Sequence, residues 1–450
     1  MTFQRLFQRL VEDRATQVVW STHHAENAKW FVFQSFRKLP SPGRVYRFWR
    51  ASEAFFDELL KEFRGIAASH PNPWRRRRLC LVPHEQTAQE WEDRETYAGQ
   101  WREGPFEVVY CADRNEFLTI GNLARCLEAT ETATKLEQQE IELKGDDGQV
   151  KKLKIQSARE PERLGVYAPV IPLEQTPRRF RVLVPLDRVT PCIETAIAKW
   201  REEFARVWDR MPLRMGVVAF PRLTPFQAVI EAARNLEDAI DRDGCETWRV
   251  LECRTREGLT ALSLERKDGR SELVLVPVRL PDGREDVFYP YARVEERALR
   301  FPRDFQHPNG QVYRHMADLR PGDGIKVDAS RITSAFLDTT SRRFDAPRVW
   351  PLADFERMRA TWDLLVCNSP SLTALRGAWS EIEERGRNWR DTEGAWLAGS
   401  KDEWLPLARA ILNDRLRIKG AALEALADAA GAGILAWALE WHLTWLKERI

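Results

Sequence analysis

Two signals in this 450-residue chain come nearest to chemistry: the adjacent carboxylates Asp146 and Asp147, and the run Arg75-Arg-Arg-Arg78. Paired carboxylates can hold divalent cations and organise phosphates during phosphoryl transfer. Here they stand in Lys144-Gly-Asp-Asp-Gly-Gln149, between the apolar positions Ile141 and Leu153, which is also the composition of an exposed hairpin turn. A turn accounts for both residues, and adjacency alone does not aim two side chains at one ion.

The arginine run is the stronger binding signal. Guanidinium forks grip phosphate oxygens, and Trp74 beside them has a ring that can stack on a base or pack against its own domain. Arg44, Arg47 and Arg50 recur at intervals of three, which places them along one face of a helix. Arg44, Arg47, Arg50, Trp74, Arg75, Arg76, Arg77 and Arg78 are therefore the candidate contacts for RNA or a partner protein, with a merely solvated surface as the competing account. His23-His24 with Asp13 or Glu26 follows no metal-ligand spacing, and Asp286, His307 and His315 meet only if the turns between them fold that way. No nucleophile elbow, phosphate loop or His-Glu-x-x-His motif occurs. No catalytic residue, metal ligand or cofactor is assigned.

The length predicts two or three domains, and 43% hydrophobic residues with 18 Trp suit a packed core or partner surfaces. Net charge is only +2, but residues 1–80 carry 15 Lys or Arg against 7 Asp or Glu, and residues 81–160 carry 10 against 17. That imbalance sets a basic face beside an acidic one, a pattern suited to a selective partner. Seven cysteines without a CxxC pair argue against a zinc ribbon and, with no leader-like segment, for a reducing cytoplasmic setting. Ala432 to Leu439 is too short to cross a bilayer, so no membrane contact is expected.

Periodicity predicts a short opening helix, strand-like Val18 to Trp20, an apolar run Trp30 to Phe36, a turn at Pro40-Ser-Pro-Gly43 and a helix from Val45 to Arg64. Strands are expected at Phe106 to Tyr110 and Phe117 to Ile120, then the polar hairpin around residues 144–149. Val166 to Leu173, Phe180 to Val184, Asp187 to Trp208, Leu213 to Phe220 and Thr224 to Ile240 read as ββαβα, an α+β arrangement. Trp248 to Phe288 is β-rich, with turns at Asp268-Gly269 and Asp282-Gly283. Leu319 to Gly324 makes a further turn, and Ser334 to Thr340 is expected to return a strand to the preceding sheet. From Leu352 amphipathic helices dominate, ending in a Trp-rich helix whose Trp437, Trp441 and Trp445 suit a core or a partner surface. The expected division is residues 1–245, 246–345 and 346–450.

Six segments carry a family resemblance: Pro40 to Trp49, Phe180-Arg-Val-Leu-Val-Pro185, Val207-Trp-Asp-Arg-Met-Pro-Leu-Arg-Met-Gly216, Thr224 to Arg234, Asp286-Val-Phe-Tyr-Pro-Tyr291 and Phe336 to Phe344. Together they resemble the Csx11 group of CRISPR-associated proteins, divergent relatives of the Cas10 large subunit of type III effector complexes. The resemblance implies a polymerase-palm-like ferredoxin domain with a β-rich insertion and a C-terminal helical bundle. Active Cas10 palms carry a Gly-Gly-Asp-Asp turn for cyclic oligoadenylate synthesis. The corresponding hairpin here, Val170 to Phe180, holds only Glu174, and the His-Asp nuclease pattern of many relatives is missing.

The expectation is a noncatalytic Cas10-like subunit that binds guide or target RNA and organises Cas7-like and Cas5-like subunits and a small helical subunit. The alternatives are a divergent metal-dependent nucleotidyltransferase producing cyclic oligoadenylate through Asp146 and Asp147, and a free-standing nucleic-acid-binding regulator.

Overall fold

The structure, a computed structural model, describes residues 42–69, 72–84, 91–161, 170–221, 224–242, 244–337, 348–390, 396–397 and 399–447. The readings of residues 1–41, including His23 and His24, fall outside them. The chain forms two compact units, residues 1–192 and 193–450.

In the first unit, helix α1 spans Pro42–Ala68. Pro42 opens this helix, where a missing N–H costs nothing. Phe55, Leu59, Phe63 and Ala67 recur at helical spacing and are buried. Six antiparallel strands follow: β1 (Cys80–Pro83), β2 (Thr96–Trp101), β3 (Gly104–Cys111), β4 (Glu116–Thr119), β5 (Glu140–Lys144) and β6 (Val150–Arg159). They close into a barrel in the order β1-β4-β3-β2-β5-β6, with β6 returning to β1. The predicted strands and polar hairpin are present, but their closure was not part of the sequence reading. Alternate residues fill the interior, among them Leu81, Tyr97, Phe106, Val108, Phe117, Ile141, Leu143 and Leu153. At Gly99 the β5 backbone comes so close that a Cβ would collide with the Glu142 carbonyl.

The hairpin β7 (Ile171–Thr176) and β8 (Arg179–Leu183) lies against α1, where the rings of Phe56 and Phe180 stack at 5.1 Å. Among the described residues these two strands pair only with each other. Helix α2 (Val189–Phe204) leads into the second unit.

There β9 (Arg214–Ala219) is followed by α3 (Phe226–Asp241), whose Val229 and Ala232 pack with Val218, Phe220 and Leu337. A seven-stranded antiparallel sheet then forms from β10 (Glu246–Arg256), β11 (Leu259–Glu265), β12 (Ser271–Pro277), β13 (Tyr291–Val294), β14 (Phe305–Gln306), β15 (Val312–His315) and β16 (Gly324–Val327). Its order is β12-β11-β10-β16-β13-β15-β14. The returning strand, β17 (Arg331–Phe336), does not join that sheet. It pairs parallel with β9 and antiparallel with β18 (Val349–Pro351). Chain order hides this pairing, because the whole seven-stranded sheet intervenes.

The C-terminal region is helical: α4 (Ala353–Asn368), α5 (Leu372–Gly386), α6 (Ser400–Leu416), α7 (Gly420–Ala432) and α8 (Ile434–Leu439), with a π-helical turn over Glu440–Trp445. No single described helix is long and apolar enough to cross a membrane. Trp437, Trp441 and Trp445 are buried, so these rings belong to the core. Trp437 stacks on Trp350 at 4.9 Å, and the Arg348 guanidinium covers the other ring of that pair, 3.8 Å from the Trp350 centroid. Gly433 has positive φ and no Cβ to strike Arg348, which lets α7 turn sharply into α8.

Phe106 has no solvent exposure inside the barrel. Phe106→Ala is expected to lower stability by about 3–5 kcal/mol in chemical denaturation, through lost burial and the cavity left behind.

Candidate nucleic-acid interface

The arginine run departs from the helix into an irregular turn, so its four side chains do not share a face. Asn72 caps the turn by accepting the Trp74 amide at 3.0 Å. Trp74 is buried and donates its indole N–H to the Glu131 carbonyl at 3.0 Å. Of the two uses open to this ring, packing against its own domain is the one it has. Arg75 forks onto the Asp187 carboxylate. Arg77 lies 3.4 Å from Glu160 and over the Trp74 ring. Arg78 is buried and donates to the Gly121 carbonyl at 2.5 Å, and Arg76 is half-buried and also engaged. Most of this charge is spent inside the first unit. Arg50 donates to the Tyr46 hydroxyl at 3.0 Å on the exposed start of α1, where Trp49 is exposed too. Arg44 and Arg47 lie on the same helix, with side chains outside the description.

Asp146 and Asp147 form the turn joining β5 to β6. The Asp147 carboxylate accepts the Gln149 amide at 2.9 Å, and Glu95 accepts the Asp146 amide at 3.0 Å. In the β7–β8 hairpin, Glu174 pairs with Arg181 at 3.0 Å and with Arg179 at 3.7 Å. Among the described residues no group of three His, Cys, Asp or Glu side chains converges on a metal position.

The most exposed aromatic side chain among the described residues, Phe288 at 75%, lies elsewhere, in the loop before β13, next to Tyr289, which at 55% is about as exposed as Tyr46 on α1. Asp286 builds this loop from inside. It is fully buried, and its Oδ1 accepts the amides of Phe288 and Tyr289 at 3.0 and 3.1 Å, turning the backbone so that both rings project. Its Oδ2 lies 3.2 Å from the Arg206 guanidinium, which also donates to the Arg279 carbonyl at 2.9 Å. Arg210 donates to the carbonyls of Tyr289 and Tyr291 at 2.8 and 2.6 Å. Two arginines from the segment after α2 therefore clamp the loop.

His315 completes the base. Its Nε2 donates to the Asp286 carbonyl at 3.1 Å and its Nδ1 accepts the Ala317 amide at 3.3 Å, which fixes the neutral tautomer. Burial lowers its pKa in the same sense. With both nitrogens occupied it offers no lone pair to a metal, and His307 is occupied in its own exposed turn with Asn309. Of the arginines elsewhere in this part of the chain, Arg284 is paired with Asp282, and Arg303 with Glu285 and Asp318. Arg279 is exposed and has no acidic partner among the described residues. The sequence signal for this site was an Asp placed two and three residues before aromatics and closed by Pro290, a turn former beside rings that no core pattern requires.

Next to the clamp, Asp209 is fully buried, and burial pushes its carboxyl up to about 6 against the pull of Arg210 and Arg293. Compared with family models, curated proteins and solved structures, the chain matches none.

Two outcomes are expected. Asp286→Ala removes the acceptor of two amides and the counter-charge of Arg206. It should cost about 3 kcal/mol and speed amide exchange at Phe288 and Tyr289, read by hydrogen exchange. For Asp209 the folded-state pKa lies above the unfolded value near 3.8, so the unfolded chain ionises first as pH rises. Stability should therefore fall between about pH 4 and 6, by on the order of 3 kcal/mol, and stay lower above that window. Denaturation of Asp209→Asn across the same range should lack this fall.

Proposed function

We propose that this chain is a noncatalytic Cas10-like large subunit, akin to the Csx11 group, that binds guide or target RNA and organises Cas7-like, Cas5-like and small helical subunits of a type III-like CRISPR ribonucleoprotein. The observation that supports this reading is a contact between two of the segments on which the resemblance rests. Arg210, from Val207 to Gly216, holds the carbonyls of Tyr289 and Tyr291, from Asp286 to Tyr291. Segments so far apart in the chain act as one device, and its product is a pair of rigidly held, solvent-facing rings. Unpaired RNA bases stack on such rings. On this reading Phe288 and Tyr289 take the role that Trp74 cannot.

The same reading takes β7 to α3 as a pared-down polymerase-palm-like ferredoxin domain. The chain order hairpin, helix, strand, helix is what supports it; the one sheet of a ferredoxin fold is not formed among the described residues, where β7 and β8 pair only with each other and β9 pairs with β17. Glu174, held by two arginines in the hairpin, is a tethered side chain with no acidic neighbour in the turn. The chain thus acts by binding and positioning, and no reaction step is assigned to it.

Purification of the native assembly, with RNA sequencing and protein identification, tests the proposal. A guide carrying a constant repeat-derived tag, together with stoichiometric Cas7-like and Cas5-like subunits, is the expected result, and an RNA-free chain lacking those partners overturns it. In the purified chain, Phe288→Ala with Tyr289→Ala should weaken single-stranded RNA binding by about tenfold to a hundredfold without lowering the melting temperature.

A further inference from the structure

The seven-stranded sheet ends on one side in β14, a two-residue strand too short to take a further strand beyond β15, and on the other in β12, seven residues long. Among the described residues β12 pairs only with β11, in a regular register without a bulge. Sheet edges are ordinarily blunted by lysines, bulges, shortness or an inward charge. Ser271-Glu-Leu-Val-Leu-Val-Pro277 has none of these in its middle, and its one charge, Glu272, faces Arg266 at 3.6 Å. Leu273 is 67% and Leu275 51% exposed, side by side on the outer face.

Backbone alternation fixes which groups are open. The Val278 amide donates to Gly258 and the Arg266 amide to the Arg270 carbonyl, so the even-numbered residues of β12 point their N–H and C=O at β11. The odd-numbered residues Ser271, Leu273 and Leu275 point theirs away from the sheet. Pro277, the last odd position, has no N–H to leave unpaired.

We propose that this edge pairs with the same edge of a second copy of the chain, antiparallel about a twofold axis at Val274. In that register Leu273 lies opposite the copy's Leu275, and each exchanges both backbone hydrogen bonds with it. The Ser271 amide donates to the Pro277 carbonyl, and Val274 meets its own copy on the inner face. Four leucines then cover one another on the outer face. The symmetry of Leu273-Val274-Leu275 about its centre makes a second copy the matching occupant, and the charges do not oppose it. Glu272 falls opposite Val276 and Arg270 opposite Val278, so no like charges oppose each other and the strip is complementary to itself. This interface uses none of the aromatic loop's residues and does not depend on the function proposed above.

Sedimentation equilibrium of the full chain tests it. The expected result is a rise from monomer to twice the monomer mass, with a midpoint between about 1 and 100 µM, the range of a small interface. Leu273→Lys with Leu275→Lys should remain monomeric throughout with unchanged near-ultraviolet circular dichroism, whereas Leu251→Lys, at an exposed leucine of β10, should still dimerise. Hydrogen exchange gives a second readout: the amides of Leu273 and Leu275 should gain protection with concentration, while that of Val274 is protected at every concentration. A constant monomer mass overturns the proposal. So does a dimer that survives the double lysine variant, or one in which the Leu273 and Leu275 amides stay unprotected.

Discussion

The second unit depends on one constraint: a carboxylate taken out of water must be given a cation, and here that cation comes from another element of the fold, for Asp286 and Asp354 from far along the chain. Asp286 is met by Arg206, and Asp354 at the start of α4 by Arg270 at 2.8 Å, from the turn between β11 and β12. Asp304 is met by Arg314 at 3.1 Å, and Arg314, itself fully buried, also reaches Asp323 and Glu296. Each pair joins a loop to an element that hydrophobic contact alone would leave free to slide. Such pairs add little net stability over an apolar substitute, but a carboxylate left without its arginine is strongly penalised. Their effect is therefore to exclude wrong arrangements, which is what a sheet inserted between β9 and β17 requires.

The aromatic loop follows from the same constraint. A chain segment ending in Val-Phe-Tyr would ordinarily fold its rings inward, because burial of each ring is favourable. Here the buried end of the segment is the carboxylate, fixed by two backbone amides, His315 and Arg206, and the geometry of that anchor leaves the rings outside. Arg210 then removes the remaining freedom by binding the carbonyls on either side of Pro290. The rings are presented without the ordering cost that a mobile loop would meet on binding a ligand.

Local order was legible in the sequence, and long-range pairing was not. The β-hairpin around Asp146 and Asp147, the helix α1, the succession from β7 to α3 and the helical C-terminal region all follow from alternation, helical spacing and Gly or Asp turns. Barrel closure depends on β1 meeting both β4 and β6, and the second sheet on β17 passing over seven strands to reach β9. No local pattern encodes either. The surroundings of the arginine run were hidden for a related reason. A run of four arginines looks like one surface, yet in a short turn successive side chains diverge, and Arg75, Arg77 and Arg78 each found a different acceptor. Asp286 to Tyr291 stood out through a resemblance, and Asp286 as a candidate to meet His307 and His315, but neither pointed to exposed rings, since burial of the Asp and exposure of the rings invert the usual preference of both.

The two units solve the problem of the open strand edge differently, and this decides what each can do with its surface. In the first, the barrel closes six strands on themselves and its outer face carries matched charges, such as Lys152 beside Glu140 and Glu142, while the short β7–β8 hairpin stays open. Nothing in that closed wall asks for another strand. The second keeps its seven-stranded sheet open, and an open sheet has two ends. One end is reduced to the two residues of β14. The other presents leucines and unpaired backbone groups, a surface whose unmet hydrogen bonds only an extended strand can satisfy.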